Sequence, residues 1–225
     1  MPGARSAGTE NANKTGDFRS VASRDRGLLR FWGHSAVLGA PTKRLPRTDH
    51  RYAPIMAPVI RPIEPRDLPE IQAELETHWR STQIWSLGRM HQADALPGFV
   101  AEVDGAFAGL VTMHMDPGGW QCEVITLSSR VPARGVGAAL LTAAERHART
   151  AGCRRIFLTT TNDNTHAMRF YQRQGWCFCT LHKGIVDRVR TVITDLPLLG
   201  FHGIQVRDEI EFEREHEGKH MPTDS

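Results

Sequence analysis

Between Cys122 and Thr150 an extended run rich in β-branched residues ends at Leu127-Ser128-Ser129, turns, and passes through Gly135-Val136-Gly137 into an Ala/Leu-rich helix closed by Gly152. That join constrains the fold more than anything else in the chain. Upstream of it the pattern is antiparallel. Phe99–Val103 and Phe107–Met115 flank Asp104-Gly105, residues that accept the positive φ of a tight hairpin, and Pro117-Gly118-Gly119 sets a second turn before Cys122–Leu127. Downstream, Arg155–Thr161 is another β-branched strand and Thr165–Gln174 a helix stopped by Gly175. Strand, helix, strand implies a right-handed crossover and a parallel pair. A meander feeding such a unit makes an α/β fold: a mixed, mostly antiparallel sheet with a central parallel strand pair and helices on both faces.

The flanks follow from the same signals. Val59–Ile63 is a short strand. Asp67 is placed to cap a helix carrying Leu68, Ile71, Leu75 and Trp79 on one stripe, with Pro69 in its first turn and Glu70 three residues after the cap. Ile84–His91 reads as a second, weaker helix, Ile185–Ile193 as a short helix and Ile204–Phe212 as the last strand. Residues 1–55 lack a stable period and are expected to be a disordered tail, or an over-extended start ahead of Met56. The folded domain is expected over 56–217, with 218–225 a disordered C-terminus.

Charge and cysteine usage narrow the function. Residues 1–55 hold 10 Lys/Arg against 4 Asp/Glu, a charge of +6, which leaves the rest with 18 against 21, or −3. The domain therefore has no electrostatic footprint for nucleic acid. Cys122, Cys153, Cys177 and Cys179 lack the paired spacing of a zinc site and read as free thiols of a cytoplasmic protein. His91, His114, His166, His182 and His202 likewise show no metal spacing. No apolar run reaches the roughly 20 residues that a membrane helix needs.

At Gly135-Val136-Gly137 two readings compete. Free amides at a helix start, with the macrodipole behind them and no Cβ in the way, bind an anion; alternatively, the glycines only allow a tight turn. A Walker A loop is excluded because no Lys-Ser/Thr follows. A dinucleotide-binding turn is disfavoured because Leu140 holds its third glycine position and the strand before it belongs to a meander.

Two motifs carry a resemblance. Gly135-x-Gly137 after a strand is similar to the pyrophosphate loop of the GCN5-related N-acetyltransferases, and Asn164-x-x-Ala167-x-x-Phe170-Tyr171-x-x-x-Gly175-Trp176 resembles that family's second signature. Pro132 stands where the family usually has Gln or Arg, with Arg134 nearby to supply charge. The resemblance implies an acetyl-CoA cosubstrate, no metal, and transfer of an acyl group to a primary amine of a small molecule or protein. The alternative is a catalytically inactive acyl-CoA-binding sensor or interaction module of the same fold, against which the presence of both Glu123 and Tyr171 favours the enzyme.

Carried over residue by residue, it places Leu127, Ser129, Arg134, Gly135, Val136, Gly137, Ala138, Asn164 and Tyr171 on the cofactor. Glu123 becomes the general base, against the alternative of an ion-paired strand glutamate. Tyr171 becomes the general acid, against that of a helix tyrosine with one hydrogen bond. The acceptor pocket is expected from residues 79–97 and 180–203. Expected partners are acyl-CoA and an unidentified amine, with a homodimer left open and neither nucleic acid nor membrane.

Overall fold

The computed structural model describes residues 37–38, 57–131, 134–194 and 196–214. Its strands, in chain order, are β1 (Val37–Leu38), β2 (Val59–Pro62), β3 (Gln83–Ser86), β4 (Arg89–Gln92), β5 (Gly98–Val103), β6 (Ala106–Met115), β7 (Gln121–Ser129), β8 (Arg155–Thr161), β9 (Cys177–His182) and β10 (Glu209–Arg214). The helices are α1 (Leu68–Trp79), α2 (Val136–Thr150), α3 (Thr165–Arg173) and α4 (Ile185–Arg190). The main sheet has the order β2-β5-β6-β7-β8-β10-β9, and β1 lies beside β7 off that path. Only β1–β7 and β7–β8 are parallel pairs; the other ladders among the described residues are antiparallel. The mixed α/β sheet read from the pattern is the one that forms. Of the segment expected to be a tail, Val37–Leu38 runs parallel to Ser128–Ser129. The rest of 1–56, Pro132 and everything after 214 lie outside the described residues.

The period of two sends alternate residues to two cores. Ala101, Val111, Val124, Leu127, Leu158 and Phe212 pack against Leu140, Leu141 and Ala144 of α2 and Tyr171 of α3. On the opposite face Val100, Leu110 and Ile125 meet Ile71, Leu75 and Trp79 of α1 and Ile84 of β3. Burying a large apolar side chain is worth about 1.5–3 kcal/mol, so the α1 stripe alone suffices to hold that helix down. A third cluster gathers Ile185, Val186, Val189 and Val206, with Trp85 and Leu87 packed against it.

The structure departs from the pattern reading in three places. Asp67 holds the N-cap position of α1, but its side chain makes no capping bond to that helix. A 3-10 turn over Pro65–Asp67 precedes the helix, and the Asp67 carboxylate accepts from Glu64 N and forks onto the Arg61 guanidinium at 2.7 Å. The last strand begins at Glu209 rather than Ile204. The segment Ile84–His91 is not a helix but the hairpin β3–β4, turning at Leu87 (φ 49°) and Gly88 (φ 74°). Two central residues at positive φ suit a type I′ turn, but leucine is a poor advertisement for one.

Gly109 on β6 lies under the start of α2. A Cβ there would stand 2.5 Å from Ser128 O and 2.8 Å from Val136 Cγ1. Gly109→Ala is expected to cost about 1–3 kcal/mol, read as a lower urea midpoint. By lifting the first turn of α2 it should also weaken binding of any anion held there. A midpoint equal to the parent would mean that the helix start is free to shift.

Candidate active site

The site begins with a bulge. Thr112 pairs with Thr126 while Met113 pairs with Val124, so Ile125 is an extra residue in β7. A bulge bends its strand and increases the local twist. The parallel ladder between β7 and β8 runs from Gln121/Arg155 to Val124/Leu158, although β7 continues to Ser129 and β8 to Thr161. The central strands therefore splay apart just past the bulge, leaving a cleft along the β7 backbone of Ile125–Ser129 into which Val37–Leu38 is inserted at Ser128–Ser129. Leu127 has its side chain fully buried in the α2 core, so only its main chain can serve the cleft. Ser129 is buried and donates its hydroxyl to Val131 O. The pairing of Val37–Leu38 with Ser128–Ser129 shows that this edge takes an extended partner in parallel orientation.

Beyond the cleft α2 is entered through its N-cap Gly135, whose φ of 72° only glycine adopts freely. The amides of Val136, Gly137 and Ala138 are the orphan donors of its first turn, and no acidic residue stands there to occupy them. Arg134 is half-buried beside them. Across the cleft, α3 is capped by Asn164, whose Oδ1 accepts from Ala167 N at 3.1 Å. That bond accounts for Asn164 as a helix cap.

Tyr171 and Glu123 belong to opposite faces of the sheet, with Glu123 in the last paired stretch of β7 before the split. Tyr171 is wholly buried among Phe170, Phe212 and Trp176, at ring distances of 5.6, 5.4 and 6.4 Å. Its hydroxyl has no partner among the described residues, and burial holds its pKa well above the ordinary phenol value. Such a group is costly unless it has a use.

Glu123, 6% exposed, faces the β3–β4 hairpin. Burial pushes its carboxyl up to about 7, the Ser86 hydrogen bond opposes this, the charge of Glu211 adds to it and that of Arg89 reduces it. Its Oε1 accepts from Ser86 Oγ, which lies 2.8 Å from Thr159 Oγ1. His114 is its register partner on β6 and stacks edge-on with the buried His91 at 5.0 Å. On β10, Glu211 is bound by Arg155 and by His182 at 2.6 Å. The ring of Ser86, Thr159, His114 and Glu211 around Glu123 is not visible as a motif, since its members lie on four different strands. The hairpin and α4 do fall within the stretches 79–97 and 180–203 expected to form the acceptor side.

These groups sit on a sheet that splits beside a helix start with free amides. The Acetyltransferase (GNAT) family model matches residues 60–176, and the chain belongs to that family. It is similar to two Bacillus subtilis proteins described as uncharacterized. YdhI is 36% identical over 138 residues, 61% of this chain and 85% of that protein. YxbD is 35% identical over 147 residues, 65% of this chain and 90% of that protein. Among solved structures it resembles an IAA acetyltransferase from Bacillus cereus (TM-score 0.51, 17% identity, 71% of this chain and 100% of that one). An acetyltransferase from Bacillus subtilis in complex with CoA is similar too (TM-score 0.51, 15% identity, 71% and 99%), as is a GNAT acetyltransferase from Elizabethkingia anophelis with acetyl-CoA bound (TM-score 0.50, 16% identity, 71% and 98%). At these identities the structural likeness speaks to the fold. No helix among the described residues is long and apolar enough to cross a membrane.

Proposed function

We propose that the protein is a cytoplasmic, acetyl-CoA-dependent N-acetyltransferase acting on a primary amine. The observation that carries this reading is a pair of perturbed groups on the two faces of the sheet. A buried carboxyl near pH 7 stands on one face, and a partnerless phenol on the other. The pyrophosphate of acetyl-CoA would lie on the amides of Val136–Ala138, and its pantetheine arm along the Ile125–Ser129 edge, taking the place of Val37–Leu38 at Ser128–Ser129. A main-chain amide there would polarise the thioester carbonyl. An alkylamine, with a pKa of about 10.4, must lose a proton before it attacks. Glu123 takes that proton directly or through water. The C–N bond forms as the C–S bond breaks, the nitrogen gives up its second proton to water, Tyr171 protonates the departing thiolate, and Glu123 and Tyr171 return to their starting states by exchange with solvent once the products leave. The raised value of Glu123 suits a base working near neutrality, where proton affinity and ionised fraction are both adequate.

Acetyl-CoA should raise the melting temperature, since a ligand that binds only the native state stabilises it by mass action. Gly137→Asp should abolish that rise by setting a carboxylate against the pyrophosphate. Release of free thiol is then measured against a panel of amines, peptides and aminoglycosides. A protein that binds acetyl-CoA but turns over no amine would be the non-catalytic module instead.

A further inference from the structure

We propose that Ser86, at the tip of the β3–β4 hairpin, is a positioning residue that orients Glu123 and sets the pH at which it takes a proton. This rests on the base role given to Glu123 above.

Ser86 is 4% exposed, so its hydroxyl has to find partners inside the protein. It has two, Glu123 Oε1 and Thr159 Oγ1. A serine carries one proton, and a carboxylate is the stronger acceptor. Ser86 therefore donates to Glu123 and accepts from Thr159. The resulting chain, Thr159 to Ser86 to Glu123, ties together β8, β3 and β7. It engages Oε1, while Oε2 has no protein hydrogen bond among the described residues and is left for the proton.

The hairpin tip is held in place from several sides. Leu87 N donates to Glu209 Oε2 at 2.9 Å, and Trp85 and Leu87 pack on the α4 cluster. Leu87 sits at φ 49°, a left-handed conformation that a leucine keeps only where its surroundings enforce it. Such over-determination next to a perturbed carboxyl fits a positioning device better than an ordinary turn.

Other charged and titratable groups also face Glu123. Arg89 on β4 favours its ionised form and Glu211 on β10 disfavours it, with Glu211 itself held by Arg155 and His182. His114 stands beside it on β6, and His91 on β4 is kept neutral by burial, which lowers it to about 4. Ser86 is the group that touches the carboxylate. A hydrogen bond to the charged form favours that form, so losing it moves Glu123 upward.

The test titrates Glu123 directly, by NMR of isotope-labelled glutamate side-chain carboxyls in the full chain. The Glu123 signal is identified by its loss in Glu123→Gln. Ser86→Ala should raise the midpoint by about one pH unit, and Ser86→Thr, which keeps a hydroxyl, should restore it. In turnover, Ser86→Ala should then lower kcat/KM about tenfold near pH 6, with the KM for acetyl-CoA unchanged. A residue that merely holds the hairpin would move the melting temperature and leave the titration where it was. That result overturns the proposal.

If Ser86→Ala does not fold, Thr159→Val removes the far end of the chain and should give a smaller upward shift; no shift there overturns it equally. An inactive Glu123→Gln beside an unmoved titration removes the role of Ser86 alone. A Glu123→Gln enzyme with parental turnover removes the base role and this one together.

Discussion

Tyr171→Phe is expected to bind acetyl-CoA as the parent does and to turn over about 10²–10⁴-fold more slowly, the usual worth of a general acid. That is about 3–5 kcal/mol of barrier for one oxygen atom. The substitution keeps the ring among Phe170, Trp176 and Phe212 and removes a hydroxyl that has no partner among the described residues. Its packing cost is therefore nil, and removing an orphaned buried polar group should leave the melting temperature equal or higher. Burial raises the phenol, so it holds its proton throughout the working range. A thiol has a pKa of about 8.5 in water, which makes the transfer uphill before reaction. The same desolvated cleft makes the thiolate more basic as it forms, and this narrows the gap. Unchanged turnover in Tyr171→Phe would return the residue to the core as a structural aromatic.

The parts of this protein that announced themselves are local. Asp104-Gly105 is a hairpin signal complete within two residues, and both take the expected positive φ. Gly135 before an Ala/Leu-rich run marks a helix start from sequence alone, and α2 begins one residue later. The surroundings of Glu123 were illegible because they are assembled from separate strands. Ser86, Thr159, His114 and Glu211 meet Glu123 only through sheet order, and the bulge at Ile125 that opens the cleft has no residue signature. Reading 84–91 as a helix hid Ser86 further. A period of two would have put Ile84 and Ser86 on one buried face, but Leu87-Gly88 lacks the asparagine or aspartate that usually reports such a turn. Asn164 is legible on two counts, since it fits a family signature and its Oδ1 also accepts from Ala167 N as a helix cap.

Glu123→Gln should lose activity and gain stability, a combination that separates a base from a structural glutamate. The parent carboxyl stands at about 7 in the folded chain against an ordinary 4.5. A carboxyl raised in this way holds its proton longer in the native state than in the unfolded one. Its contribution to stability is complete below about 4.5 and is lost as the pH rises through 7, on the order of 3 kcal/mol in all. Glutamine has the same shape, accepts the Ser86 hydrogen bond through its carbonyl oxygen and does not titrate. The parent's melting temperature should therefore fall relative to that of Glu123→Gln between pH 5 and 7.5 or so, leaving the variant the more stable protein at the upper end. Turnover should drop about 10²–10⁴-fold. The acid limb near pH 7 in the parent's kcat/KM profile should vanish with it. An ion-paired strand glutamate predicts the reverse, because its neutral replacement leaves a cation unpaired and lowers the melting temperature at every pH above 5 or so. A buried charge that costs stability at working pH persists where chemistry needs it, and Glu123→Gln measures both sides of that exchange in one variant.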